Sequence, residues 1–133
     1  KTDKEFPEEK TIHELFEESV EKTPDNIALV FEEIKLTYKE LNERSNRLAN
    51  YLRIIYNIKP DDIIALLLDR SEFMIIAIIA VWKSGAAYVP IDPSFPDKRI
   101  KFILKDTNAK CILSNKIYLN KLLELNDEVI ILL

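Results

Sequence analysis

The spacing of apolar residues changes along this chain, and each change marks an element. In TIHELFEESVEK, Ile12, Leu15, Phe16 and Val20 recur at helical spacing, which predicts a helix burying that face. Thr11 is placed to cap it, Glu14 to close a capping box, and Thr23-Pro24 to end it. IALVF (27–31) and Lys35–Thr37 flank Glu32-Glu33 and predict a short β-hairpin. TYKE repeats the capping box with Thr37 and Glu40. Leu41, Leu48, Leu52 and Ile55 then form the apolar stripe of a helix reaching about Ile55.

Farther along, the pattern becomes regular. Nearly continuous apolar runs begin near Ile63 (IIALLL), Ala87 (AYVPI), Lys110 (KCILS) and Val129 (VIILL). Between them lie EFMIIAIIAVWKS, apolar on nearly every side, then PDKRIKFILKDTNA and KIYLNKLLEL. In the second of these, Pro96 suits the first helical turn and Asn108 the end. Strands of this kind alternating with helices predict an α/β fold: a mainly parallel sheet, helices on both faces, right-handed crossovers. The N-terminal helix and hairpin precede it. Residues 1–10, polar and containing Pro7, read as a linker, and the closing VIILL as a strand cut from something longer.

Composition narrows the chemistry. The chain has 133 residues, 47% apolar and 32% charged, with a net charge of −4. That describes one globular domain without a basic field for nucleic acid. The apolar run that takes in Met74 to Trp82 is too short to span a bilayer. KTDKEFPEEK lacks the pattern of a signal peptide, so the cytoplasm is the expected compartment. One cysteine, Cys111, excludes an internal disulfide and reads as a core residue within CIL. One histidine, His13, excludes multi-histidine metal sites and reads as a solvated surface residue. Gly85 is the only glycine, and a P-loop or dinucleotide fingerprint needs several. It stands where EFMIIAIIAVWKS must stop and AYVPI begin, the place for a left-handed helix cap.

Open α/β sheets build sites beyond the C-terminal ends of their strands. Here those positions are Asp69, Asp92 and Ser114. Asp69 and Asp92 could form a carboxylate pair or metal site. The expected use is humbler: Asp69 or Ser71 capping the buried helix, Asp92 ordering the turn between Pro90 and Pro93. Lys98, Arg99, Lys101, Lys105 and Lys110 are interleaved with Asp97 and Asp106. With Phe102 assigned beside Ile103 on the apolar side, they read as a solvated face. Trp82 and Tyr88, flanking Gly85, read as core aromatics rather than a stacking site.

Two stretches carry a family resemblance. LTYKEL (36–41) resembles the first core motif of adenylation domains from nonribosomal peptide synthetases, and WKSGAAYVPID (82–92) the second. Trp82 stands where that family usually has leucine, and Ser84 where it has alanine. With TIHELFEESVEKTPDNIAL and PSFPDKRIKFILKDTNAKCIL, the resemblance runs from Thr11 to Ser114. It implies that residues 11–133 are the N-terminal portion of an adenylation (AMP-binding) domain. The parent would use ATP and Mg²⁺ to make an aminoacyl-AMP, then load a carrier-protein phosphopantetheine thiol. The phosphate loop, adenine site, substrate pocket and lid lysine would lie outside this chain. The resemblance therefore implies no catalytic, cofactor-binding or metal residue here, and an inactive structural fragment. It implies as partners the remainder of the domain and neighbouring condensation and carrier domains. The second motif also resembles the docking area of MbtH-like proteins, which would put Ala86, Ala87, Tyr88 and Pro90 near a partner. The rival readings are a non-catalytic docking module and a free-standing flavodoxin-like domain.

Overall fold

The computed structural model describes residues 9–133, with side chains from His13 onward. The chain divides into two compact units, Lys1–Arg44 and Ser45–Leu133, with the division falling inside one helix. Residues 1–8, most of the expected linker, lie outside the described residues.

In the first unit, helix α1 (Glu9–Lys22) is followed by β1 (Ile27–Phe31), β2 (Ile34–Thr37) and the beginning of α2 (Tyr38–Ile54). Glu9 and Lys10 are already helical. Thr11 is therefore inside α1 rather than its cap. Leu15 is 54% exposed, leaving the expected apolar face incomplete, while the Phe16 and Tyr38 rings meet at 6.1 Å. β1 and β2 pair antiparallel, with Phe31 opposite Ile34 and Glu32 at φ 54 in the turn. The second capping box forms as expected. Glu40 N–H donates to Thr37 Oγ1 (3.1 Å) and Thr37 N–H to Glu40 Oε1 (2.9 Å).

The second unit holds the sheet. Its strands are β3 (Ile63–Leu67), β4 (Ala87–Pro90), β5 (Cys111–Ser114) and β6 (Val129–Leu132). Between them run α3 (Glu72–Ser84), α4 (Asp97–Thr107), a 3-10 turn (Lys116–Tyr118) and α5 (Leu119–Leu125). The order is β4-β3-β5-β6, every pair parallel. Successive side chains of β3 serve opposite faces. Ile64, Leu66 and Leu68 pack with Leu52, Ala77, Val81, Cys111 and Leu113. Ala65 and Leu67 pack with Ile91, Ile100, Leu104, Ile112 and Leu122. One face is thus covered by α2 and α3, the other by α4 and α5. Each fully buried leucine or isoleucine stabilises the fold by about 1.5–3 kcal/mol.

In the second unit two apolar residues expected inside are outside: Ile55 is 59% exposed and Phe102 65%. Ile55 lies just past the end of α2. Arg99 stacks over Phe95 at 4.4 Å, while Lys98, Arg99, Lys101, Lys105 and Lys110 are exposed as expected.

At the N-terminal ends of the strands, Asp62 ties two segments. It accepts from Lys59 N–H (2.7 Å) and Lys110 Nζ (3.2 Å), which hold its carboxyl below the usual range, the backbone bond contributing most. Close by, Gly85 ends α3 at φ 81, its N–H reaching Trp82 O and that of Ala86 reaching Val81 O. A Cβ here would meet nothing nearer than Pro60, at 3.7 Å. Space is available, so the requirement for glycine is conformational. Gly85→Ala is expected to cost about 1–2 kcal/mol, the left-handed penalty alone, read as a lower midpoint in urea unfolding. An unchanged midpoint would contradict the cap.

Candidate functional site at the strand ends

The strand order makes a specific forecast of where a ligand would sit. β3 leads to β4 on one side, and the chain then returns to lay β5 on the other. The crevice between the C-terminal ends of β3 and β5 is therefore the topological switch point. Here it is closed by the chain's own groups. Asn115 Oδ1 accepts the Asp69 N–H at 2.8 Å, and the Tyr118 hydroxyl donates to Asp69 Oδ1. Beneath them the buried Ser114 hydroxyl donates to Leu67 O at 2.6 Å, crossing from β5 to β3. Asp69 raises the Tyr118 phenol above its usual range, first by this hydrogen bond, then with some burial and its own charge.

Beside the crevice, between the ends of β3 and β4, lies an open concavity of about 680 Å³. Met74, Ile91 and Phe95 line it together with Asp69, Arg70 and Asp92. Asp92 is the turn-former its position suggested. Its Oδ1 accepts both Ser94 N–H (2.9 Å) and Ser94 Oγ (2.8 Å), and the Ser94 N–H chiefly lowers its pKa. Asp69 and Asp92 thus line one hollow, yet each is engaged by a different partner. Of the two offered caps for α3, Ser71 is the one used, accepting Phe73 N–H at 3.2 Å.

His13 Nε2 lies 3.2 Å from Glu17 Oε2 on half-exposed α1. Cys111 is buried, and its thiol is pushed up to about 12, mainly by that burial, which disfavours the thiolate. Tyr88 packs partly buried on the core and Trp82 is half-buried. Ala87 and Pro90 are exposed on β4, with Ala86 half-buried just before it.

At these strand ends Asp69, Arg70 and Asp92 line one hollow, and the switch-point groups bond one another. Gly85 serves a helix cap at the opposite, N-terminal end of the strands. Among the described residues, no group of three or more His, Cys, Asp or Glu could hold a metal ion. None of their helices is long and apolar enough to cross a membrane.

Residues 16–132 match the family model described as "AMP-binding enzyme". The chain belongs to this family. It is 56% identical over 126 residues to N-(5-amino-5-carboxypentanoyl)-L-cysteinyl-D-valine synthase of Amycolatopsis lactamdurans, covering 95% of this chain and 4% of that protein. It is 48% identical over 121 residues to tyrocidine synthase 3 of Brevibacillus parabrevis, covering 91% and 2%. Among solved structures, the Klebsiella oxytoca NpsA N-terminal subdomain with anthranilyl-AMSN superposes with TM-score 0.73 at 32% identity, covering 78% of this chain and 27% of that one. Bacillus subtilis O-succinylbenzoate coenzyme A synthetase with AMP gives TM-score 0.79 at 25% identity, covering 87% and 30%. The resemblance to peptide-synthetase adenylation domains is borne out, and the chain spans only a small part of these relatives.

Sequence reasoning found Asp69, Asp92 and Ser114 but missed Asn115 and Tyr118. Those bond Asp69 across 46 and 49 residues, so only the β3–β5 pairing brings them together. Tyr118→Phe is expected to lower stability at neutral pH by up to about 1 kcal/mol, one hydrogen bond in a half-exposed setting. A folded pKa raised above the unfolded value gives stability present below the ordinary phenol range. It is lost as pH rises through the raised value, so the unfolding midpoints of the two proteins should converge in alkali. A difference that persists or grows there would contradict the bond.

Proposed function

We propose that this chain is the N-terminal structural portion of an amino-acid-activating adenylation domain and is inactive alone. The parent forms aminoacyl-AMP from ATP and an amino acid with Mg²⁺, then passes the acyl group to a carrier-protein phosphopantetheine thiol. The observation that carries this reading is the family match over a fold whose switch point is filled by Asp69, Asn115 and Tyr118. Stabilising charge on the ATP phosphates takes several oriented donors and cations, and the hollow at the strand ends sets Arg70 beside two carboxylates, Asp69 and Asp92. The partners are the remainder of the domain and the neighbouring condensation and carrier domains, and the compartment is the cytoplasm.

The same reading puts an MbtH-like protein against Ala86, Ala87, Tyr88 and Pro90. What supports it is position: β4 is an edge strand, with Ala87 and Pro90 exposed. Amino-acid-dependent ATP–pyrophosphate exchange by this chain is expected to match a buffer control across the standard amino acids. Exchange above that control would overturn the inactive reading.

A further inference from the structure

The outer face of α4 combines two features that the fold itself does not use. Among the charged residues of this helix, Asp97 is paired with Lys121 Nζ at 3.4 Å, and Arg99 lies over the Phe95 ring. Lys98, Lys101 and Lys105 are exposed, and their ammonium groups meet neither a carboxylate nor a hydrogen-bond acceptor among the described residues. A helix sets positions 98, 101, 102 and 105 on one stripe, at i, i+3, i+4 and i+7. Phe102 therefore projects among the three lysines, and it is exposed.

One exposed phenylalanine is ordinary on a protein surface. A ring framed by three unpaired cations, in a chain whose net charge is −4, is a local pattern with a defined complement. Beside it is a hollow of about 230 Å³, lined by Lys101 and Lys105 together with Leu104, Leu125, Asn126 and Glu128. Charge and apolar surface thus adjoin on this flank as they do on the stripe.

We infer that the outer face of α4 docks an acidic amphipathic helix of a partner protein. Carboxylates of that helix meet Lys98, Lys101 and Lys105, and an apolar side chain between them covers Phe102. Charge complementarity selects this occupant. Three cations within two turns match carboxylates that repeat at i, i+3 and i+7 on a single helix. A membrane surface or a nucleic-acid duplex presents a broad anionic field and calls for cations over a wide area. Here Asp97 and Asp106 bracket the stripe and Glu128 adjoins it, so such a field would meet like charge on its borders. The inference goes beyond the adenylation reading and uses only α4 and its flank.

The whole chain is titrated, by fluorescence anisotropy and NMR, with an alanine-based helical peptide bearing glutamates at i, i+3 and i+7 and leucine at i+4. A second peptide of the same composition has its glutamates spread around the helix. The matched peptide should bind saturably, shift the amides of α4, and weaken as salt rises. The spread peptide should bind at least ~10-fold more weakly. Lys101→Gln with Lys105→Gln should weaken the matched peptide by about 3- to 10-fold, two surface ion pairs lost. Phe102→Ala should weaken it by at least ~3-fold, reading the apolar contact apart from charge. Both variants should melt with the unaltered chain, since the side chains replaced are exposed. Equal affinity for the two peptides, no saturable binding of the matched one, or shifts centred outside α4 would overturn the inference. So would tighter binding of phosphatidylserine vesicles or duplex RNA that is lost in the lysine variant.

Discussion

Everything in the second unit hangs on β3 being paired along both sides. Ile64, Ala65, Leu66 and Leu67 are each 0% exposed, and alternate members feed opposite cores. β4 and β5 have no other common neighbour, and the helices on either face rest on side chains that β3 holds in register. A strand placed this way admits no polar residue on either face, so polar groups collect at its two ends. At the N-terminal end Asp62 binds Lys59 and Lys110, holding the start of β5 against the loop before β3. At the C-terminal end Asp69 binds Asn115 and Tyr118.

That second set of bonds decides what the fold can do. The switch point of an open α/β sheet receives ligands because backbone groups there are left without partners. In this chain the Asp69 N–H is spoken for, and a phenol and an amide occupy the space. The switch point of this unit is therefore occupied by its own side chains. What the unit offers instead is sheet, with one edge dulled by Pro90 and the other carrying the uninterrupted strand VIIL.

Much of this could be read from residue order. The burial of EFMIIAIIAVWKS, the cap at Gly85, the Thr37–Glu40 box and the four parallel strands each follow from local chemistry, and local chemistry is visible in sequence. The failures share a different cause. Thr11 has the composition of a cap, but the helix had already begun at Glu9. Phe102 and Ile55 are apolar and yet exposed, because hydrophobicity says which residues gain from burial and not which find a neighbour. Asn115 and Tyr118 were silent because their partner lies in another strand. The carboxylates Asp69 and Asp92 were visible as candidates, and the structure supplied the partners that make them structural.

The β3–β5 switch point is filled by the chain's own groups, and we propose that it takes no nucleotide. Titrating the ¹⁵N-labelled chain with ATP and Mg²⁺ tests it most directly, with the amides of Asp69, Asn115 and Tyr118 followed by NMR. No saturable shift is expected at these positions. A saturable shift confined to them would show a site where the structure places a plug.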